Sequence, residues 1–118
     1  MKALSILQPW AEEIRLGKKQ IEYRSWKTNY RGEVLICASK NNVQIRGTDD
    51  EDKSLPLGMA VAIATIVGCV WQPQLKLYGF HLENVRTIEP FPVRGNLRLF
   101  EVETPAHFLP EIAGESEG

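Results

Sequence analysis

The feature that most constrains the fold of this chain is a series of short apolar segments separated by glycine and proline. The strongest is the stretch 59–71, which is rich in Val, Ile, Ala and Thr and is typical of a strand buried on both faces. Gly68 within it predicts a bulge or a bend. Further strands are predicted at 3–7, 18–26, 33–39, 80–88 and 97–102.

One short helix is predicted after the first strand. Pro9 suits the first helical position, because its missing N–H would be unpaired there. Gly17 can adopt the left-handed conformation that ends a helix. Trp10 and Ile14 lie one turn apart on one face, and we expect Trp10 to pack into the core. About six short strands and one helix favour an α+β, mainly β fold: a small β-barrel with peripheral helical turns.

The chain has 118 residues, about the length of one globular domain. We expect a single domain over 1–104 and a polar tail over 105–118. The stretch 40–58 has little apolar periodicity, and its length is typical of a surface loop that acts as a lid or stays unstructured. No apolar run reaches the roughly 20 residues of a membrane helix, and Pro9 comes too early for a signal peptide. We therefore expect a cytoplasmic protein without a membrane partner.

Charge is nearly balanced overall but unevenly distributed. The formal net charge is −1, which argues against a protein that coats nucleic acid through a generally basic surface. The segment 15–31 holds six basic residues and one acidic residue, whereas 49–52 is a block of four acidic residues. A basic segment of this kind could attract phosphate groups, or it could simply be a solvated surface.

The cysteines do not indicate a metal site. Cys37 and Cys69 stand alone in apolar runs, without C-x-x-C spacing or clustered histidines. We expect two small core residues in a reducing compartment, and neither a metal ion nor a cofactor.

The segment 17–24 carries the most informative motif, G-x-K-x-x-E-x-R. Gly17 ends the helix, and Lys19 follows at the corner where the next strand begins. Glu22 and Arg24 lie two residues apart on one strand face, so a carboxylate between Lys19 and Arg24 would hold both cations in position. The alternative is a row of surface ion pairs of little energetic value.

Period-two alternation divides the same strand into two faces. Ile21 and Tyr23 point to one side, which we expect to be the core. Glu22, Arg24 and Trp26 point to the other, as in a strand that lines a cleft.

The motif and its surroundings resemble the signature of the ASCH (activating-signal-cointegrator homology) domain family. The resemblance spans 2–103 and implies a PUA-like fold, a small β-barrel with flanking helices. The matching segments are Gln8-Pro9-Trp10, the motif at 17–24, Trp26 with Gly32-Glu33, the run 81–85, and Pro92-Val93-x-Gly95.

The resemblance also implies that RNA or a nucleotide-like small molecule binds in a cleft lined by the motif. Lys19, Glu22 and Arg24 would lie in this cleft, with Gly17 at its rim. Trp26 would stack on an unpaired base while the cations neutralise phosphate; core packing is the alternative for Trp26. Trp10 and Tyr23 are further aromatics near the cleft, but core packing is favoured for both. A second basic wall, or equally a solvated surface, is formed by Arg94, Asn96 and Arg98.

Enzymatic function is the competing hypothesis. Some ASCH proteins deacetylate 4-acetylcytidine and others are described as nucleases, so the resemblance also allows an amidohydrolase or a ribonuclease. In an amidohydrolase, Lys19 would polarise the amide carbonyl and Glu22 would act as general base. The related enzymes have a threonine at the position of Glu22 and a second glutamate in the later half, for which Glu83 is available. A protein-interaction module in transcriptional coactivation rests on the family name alone.

Overall fold

The computed structural model describes residues 1–42 and 55–105. The acidic block at 49–52, most of the predicted loop at 40–58 and the tail from 106 onward lie outside the described residues. The elements are β1 (Lys2–Gln8), α1 (Trp10–Arg15), β2 (Ile21–Arg24), β3 (Gly32–Asn42), β4 (Met59–Gln72), β5 (Leu77–Pro92) and β6 (Leu99–Glu101).

The six strands form one mixed sheet in the order β2-β5-β4-β3-β1-β6. The β1–β3 pair is parallel and the other neighbours are antiparallel. The mainly β fold with six strands and one helix is therefore confirmed. Within the described residues β2 and β6 are outer strands that do not pair with each other, so the sheet is open and the closure expected of a barrel is not observed. β6 is only three residues long and pairs with β1.

The β4–β5 hairpin is longer than the sequence indicates. β5 begins at Leu77 after a short turn at 73–76 and continues to Pro92, whereas the sequence predicts a strand only over 80–88. Pro90 is tolerated because the register shifts there: Ala60 pairs with Phe91 whereas Ala62 pairs with Thr87, which leaves three residues of β5 opposite one. The register also shifts between Ile66 and Gly68, so the predicted bulge is confirmed.

Alternating side chains of the central strands supply two separate cores. This is why 34–38 is a continuous apolar run: both of its faces are buried. The first core contains Leu4, Ile6, Ala11, Ile14, Val34, Ile36, Ala38, Val61, Ala62, Ala64, Ile66, Phe80 and Leu82. The second core contains Ala3, Leu35, Cys37, Ala60, Ile63, Phe91 and Val93.

Helix α1 closes one end of the first core through Ala11 and Ile14, both fully buried. The expectation that Trp10 packs into the core is wrong, because its side chain is 40% exposed. The helix has only six residues and follows a cis peptide bond between Gln8 and Pro9. No helix within 1–42 and 55–105 is long and apolar enough to cross a membrane.

The two faces of β2 are the reverse of the expectation. Glu22 pairs with Phe80 of the first core, so its side chain lies on the inner face of the sheet and is 7% exposed. Ile21 and Tyr23 lie on the other face and are only partly buried. Alternation separates the faces but does not say which is inner, and here the cations beside Glu22 make burial of the carboxylate tolerable.

Replacing Phe80 with alanine should destabilise the fold strongly. Its ring is fully buried and contacts Trp26 edge-on at 5.0 Å between centroids, so Phe80→Ala should lower the free energy of unfolding by about 3–5 kcal/mol. Leu75, 52% exposed in the β4–β5 turn, is the control, and Leu75→Ala should change stability by less than about 0.5 kcal/mol. Equal shifts in denaturant unfolding curves would contradict the assigned core.

Candidate functional site

The end of helix α1 fixes the backbone position of Lys19. Gly17 has φ +81°, the left-handed conformation that turns the chain out of the helix. The amides of Lys18 and Lys19 then both donate to the carbonyl of Glu13, at 2.8 and 3.1 Å. The Lys19 backbone is therefore tied to the helix, whereas Gly17 itself is exposed and shapes the turn.

Glu22 accepts contacts from the two cations of the motif. Lys19 Nζ lies 3.6 Å from Glu22 Oε1, and Arg24 Nη1 donates to Glu22 Oε2 at 3.0 Å. The three side chains are largely buried, with exposed fractions of 20%, 7% and 21% for Lys19, Glu22 and Arg24. Burial of these three charges costs desolvation free energy, which a row of exposed ion pairs does not. Loss of Lys19 or Arg24 would leave the buried Glu22 carboxylate only partly neutralised.

Arg24 also connects two strands that are far apart in the sheet. Its Nη1 donates to the carbonyl oxygen of Ser5 at 3.2 Å. Ser5 belongs to β1 and Arg24 to β2, and β5, β4 and β3 lie between them in the strand order. The sheet must therefore curl until β1 and β2 approach each other. In the described part of the chain these two strands share no backbone hydrogen bonds, and the Arg24 side chain spans the gap between them.

A cleft of about 860 Å³ lies where these two strands approach each other. Among the described lining residues, Glu22 is the carboxylate, whereas Arg24, Lys40 and Arg94 are cations, so the lining favours an anionic ligand. The described lining residues are Ser5, Leu7, Trp10, Glu22, Tyr23, Arg24, Ser25, Trp26, Cys37, Ala38, Ser39, Lys40, Asn41, Gly58, Leu77, Val93, Arg94, Gly95, Asn96 and Leu97.

The two tryptophans of the cleft have different surroundings. Trp26 is partly buried and packs against Phe80, with the guanidinium carbons of Arg24 and Arg98 5.8 and 5.3 Å from its ring. Trp10 is more exposed, and the ammonium of Lys19 lies 6.0 Å from its ring centre. Trp26 therefore combines core packing with cleft lining, and Trp10 offers more free ring surface.

The residues singled out from the sequence occupy three kinds of position. Glu22, Arg24, Trp26, Arg94 and Asn96 line the cleft. Lys19 and Arg98 are outside the described lining but contact it, through Glu22 and Trp26 respectively. Gly17 contributes only the turn.

Sequence reasoning missed three lining residues with functional side chains. Trp10 belongs to the matched opening Gln8-Pro9-Trp10, which could have identified it. Tyr23 was assigned to the core, yet it lines the cleft and its ring lies 5.4 Å from Lys19 Nζ. Lys40 was placed at the start of the predicted loop 40–58, whereas in the structure it belongs to β3, which continues to Asn42.

Acidic side chains are sparse around this cleft. Within 1–42 and 55–105, no group of three His, Cys, Asp or Glu side chains could hold a metal ion. Glu83, the candidate second glutamate, is exposed on β5 opposite Thr65 and does not line the cleft.

Cys37 is one of the residues that line the cleft, and its side chain is buried in the second core. Burial raises its pKa from 9.0 to about 12, so it is protonated at neutral pH and is a poor nucleophile. The prediction of a core residue is confirmed for Cys37; Cys69 is half-buried and packs at the edge of the first core.

Comparison with known protein families identifies the family of this chain. The family model described as the ASCH domain matches residues 4–102. The chain belongs to the ASCH domain family. The matched range includes the motif at 17–24 and the segment around Gly95, which also lines the cleft.

Individual ASCH relatives are distant. The chain is 26% identical to human activating signal cointegrator 1 and 25% identical to the mouse protein, each over 88% of this chain. It spans only 22% of the length of these relatives. The crystal structure of a point mutant of ZmASCH from Zymomonas mobilis superposes with a TM-score of 0.62, covering 86% of this chain and 89% of that one at 14% identity. At this identity the likeness shows the fold alone.

The raised pKa of Cys37 predicts a thiol that resists modification. In a Cys69→Ser variant we expect negligible reaction with a disulfide reagent at pH 8 in the folded protein, and complete reaction in denaturant. Because folding raises the pKa, this contribution to the free energy of unfolding is present below pH 9.0 and is lost as the pH rises towards about 12. Rapid labelling of the folded variant would contradict the buried position.

Proposed function

We propose that this ASCH domain binds RNA or a nucleotide-like small molecule in the cleft between β1 and β2. The observation that carries the proposal is the buried Glu22 carboxylate, held by Lys19 and Arg24 at the wall of a cleft whose other charged lining residues in the described chain are cations. An ion-paired buried carboxylate costs desolvation energy and gives little net stability. Its position facing a cleft is therefore better explained by ligand recognition.

Each chemical group of a nucleotide has a matching side chain in the cleft. Arg94 is exposed and Arg24 is partly accessible, so both can contact phosphate. Glu22 has acceptor oxygens for a sugar hydroxyl or a base amino group. The exposed ring of Trp10 can stack on a base, whereas Trp26, already flanked by Arg24 and Arg98, would also position these guanidinium groups.

The neighbouring lysines of the motif provide a matched test of binding. Lys19→Ala should weaken the affinity for cytidine monophosphate or a short single-stranded RNA by roughly tenfold, because it removes a cation beside the buried Glu22 carboxylate. Lys18→Ala removes the same charge from an exposed neighbour and should have little effect. Calorimetric titration measures both affinities, and thermal melting checks that each variant folds.

Equal weakening by the two lysine substitutions would point to general charge attraction and count against the site. Binding should also decline as the salt concentration rises, because phosphate contacts release counterions.

A small amidohydrolase is the second candidate, and the observation that favours it is the 3.6 Å separation of Lys19 Nζ and Glu22 Oε1. Glu22 would accept a proton from water while Lys19 stabilises the oxyanion that forms when water attacks the amide. The exposed position of Glu83 leaves this reaction without the second glutamate of the related enzymes.

Incubation with 4-acetylcytidine distinguishes catalysis from binding. If the domain is an amidohydrolase, chromatography should show cytidine and acetate forming with the wild type and not with Lys19→Ala. No conversion by a wild-type preparation that binds cytidine monophosphate would exclude this substrate and leave the binding function.

A further inference from the structure

We propose that a second aromatic platform, formed by Trp71 and Tyr78, extends the cleft beyond Arg24 and takes a second nucleotide of a single-stranded RNA. The inference rests on the proposed function and specifies its ligand. The proposed ligand is a polynucleotide, whereas the cleft without the platform would accept a mononucleotide.

Strand register places this platform beside Arg24. Arg24 pairs with Tyr78 across β2 and β5, and Tyr78 pairs with Trp71 across β5 and β4. Directly paired residues point to the same face of a sheet, so the three side chains form one row on the face that also carries Glu22 and Phe80. Two strand spacings, about 10 Å, separate the backbones at the ends of the row.

The platform is accessible and adjoins the cleft at Arg24. Trp71 is 47% exposed, and its ring centroid lies 4.9 Å from that of Tyr78 at an interplanar angle of 57°. Arg24 lines the cleft and pairs directly with Tyr78, whereas Tyr78 and Trp71 lie outside the described lining. An aromatic surface that begins where a cation-lined cleft ends suits the next base of a strand whose first phosphate is held by Arg24.

Charge around the platform favours nucleic acid as the occupant. Lys76 is exposed in the turn that joins the two strands of the platform, and Lys27 is exposed beyond Trp26. Lys76, Lys27 and Arg24 thus supply positive charge on the segments that carry or adjoin the rings, and cations together with exposed rings are the combination by which proteins bind unpaired strands.

A purely structural role for the aromatic pair makes a different prediction. Cross-strand aromatic pairs stabilise hairpins by packing, so a structural pair would alter melting and leave the length dependence of RNA affinity unchanged. The experiment must therefore compare ligands of different length on the same variants.

The test titrates cytidine monophosphate and a five-nucleotide cytidine RNA into the full chain by calorimetry. The wild type should bind the pentanucleotide more tightly than the mononucleotide. Trp71→Ala should weaken pentanucleotide binding by roughly 5- to 150-fold, the range expected for one stacked base, and leave mononucleotide binding unchanged. Trp71→Phe keeps a ring and should retain most of the pentanucleotide affinity.

Val70→Ala is the matched control, because Val70 is adjacent, 48% exposed and on the opposite face of β4 opposite Gly79. It should change neither affinity. Equal affinity of the wild type for both ligands, or an unchanged pentanucleotide affinity in Trp71→Ala, would overturn the second platform and leave the proposed function intact. Failure of the wild type to bind either ligand would overturn both.

Discussion

The guanidinium of Arg24 joins the two sides of the cleft. One nitrogen donates to the Ser5 carbonyl on β1 and to the Glu22 carboxylate on β2, so a single cation holds together two strands that are not neighbours in the sheet. The cleft therefore lies where the sheet stays open. In a closed barrel β1 and β2 would be joined by backbone hydrogen bonds, whereas in the described part of this domain the Arg24 side chain spans the gap between them. Glu22 keeps the cation in place, and Lys19 balances the remaining carboxylate oxygen.

Much of this arrangement could be predicted from the sequence. The apolar run of 59–71 predicts a strand buried on both faces, and the structure has β4 there with the bulge at Gly68. Burial on both faces holds for 60–64, whereas it is wrong for the second half of the strand, where Val67, Val70 and Trp71 are 44%, 48% and 47% exposed. The 17–24 motif could be located because a helix-ending glycine and a strand-forming segment fix the spacing of Lys19, Glu22 and Arg24. The interpretation of these residues as a cleft wall followed from the same spacing together with the family resemblance.

Other features of the fold depend on contacts between segments that are distant in the sequence, and a local sequence pattern cannot predict such contacts. The face of β2 that carries Glu22 and Arg24 is the inner one because Phe80 and Ser5 of other strands lie against it. Trp10 is exposed because a six-residue helix has room for only Ala11 and Ile14 against the core. The extension of β5 through Pro90 required a bulge opposite β4, and a register shift of this kind has no signal within a single strand.

The position of β2 at the sheet edge sets the local stability of the region that holds the motif. β2 has four residues and, within the described chain, a hydrogen-bonded ladder to β5 alone. Segments held on one side open more easily than central strands, so amide hydrogens of β2 belong to the faster-exchanging part of the fold. A molecule bound in the gap, as proposed, would act as a second neighbour of this strand. Occupancy and local opening are then linked equilibria, and the affinity of the cleft includes the free energy needed to keep β2 closed.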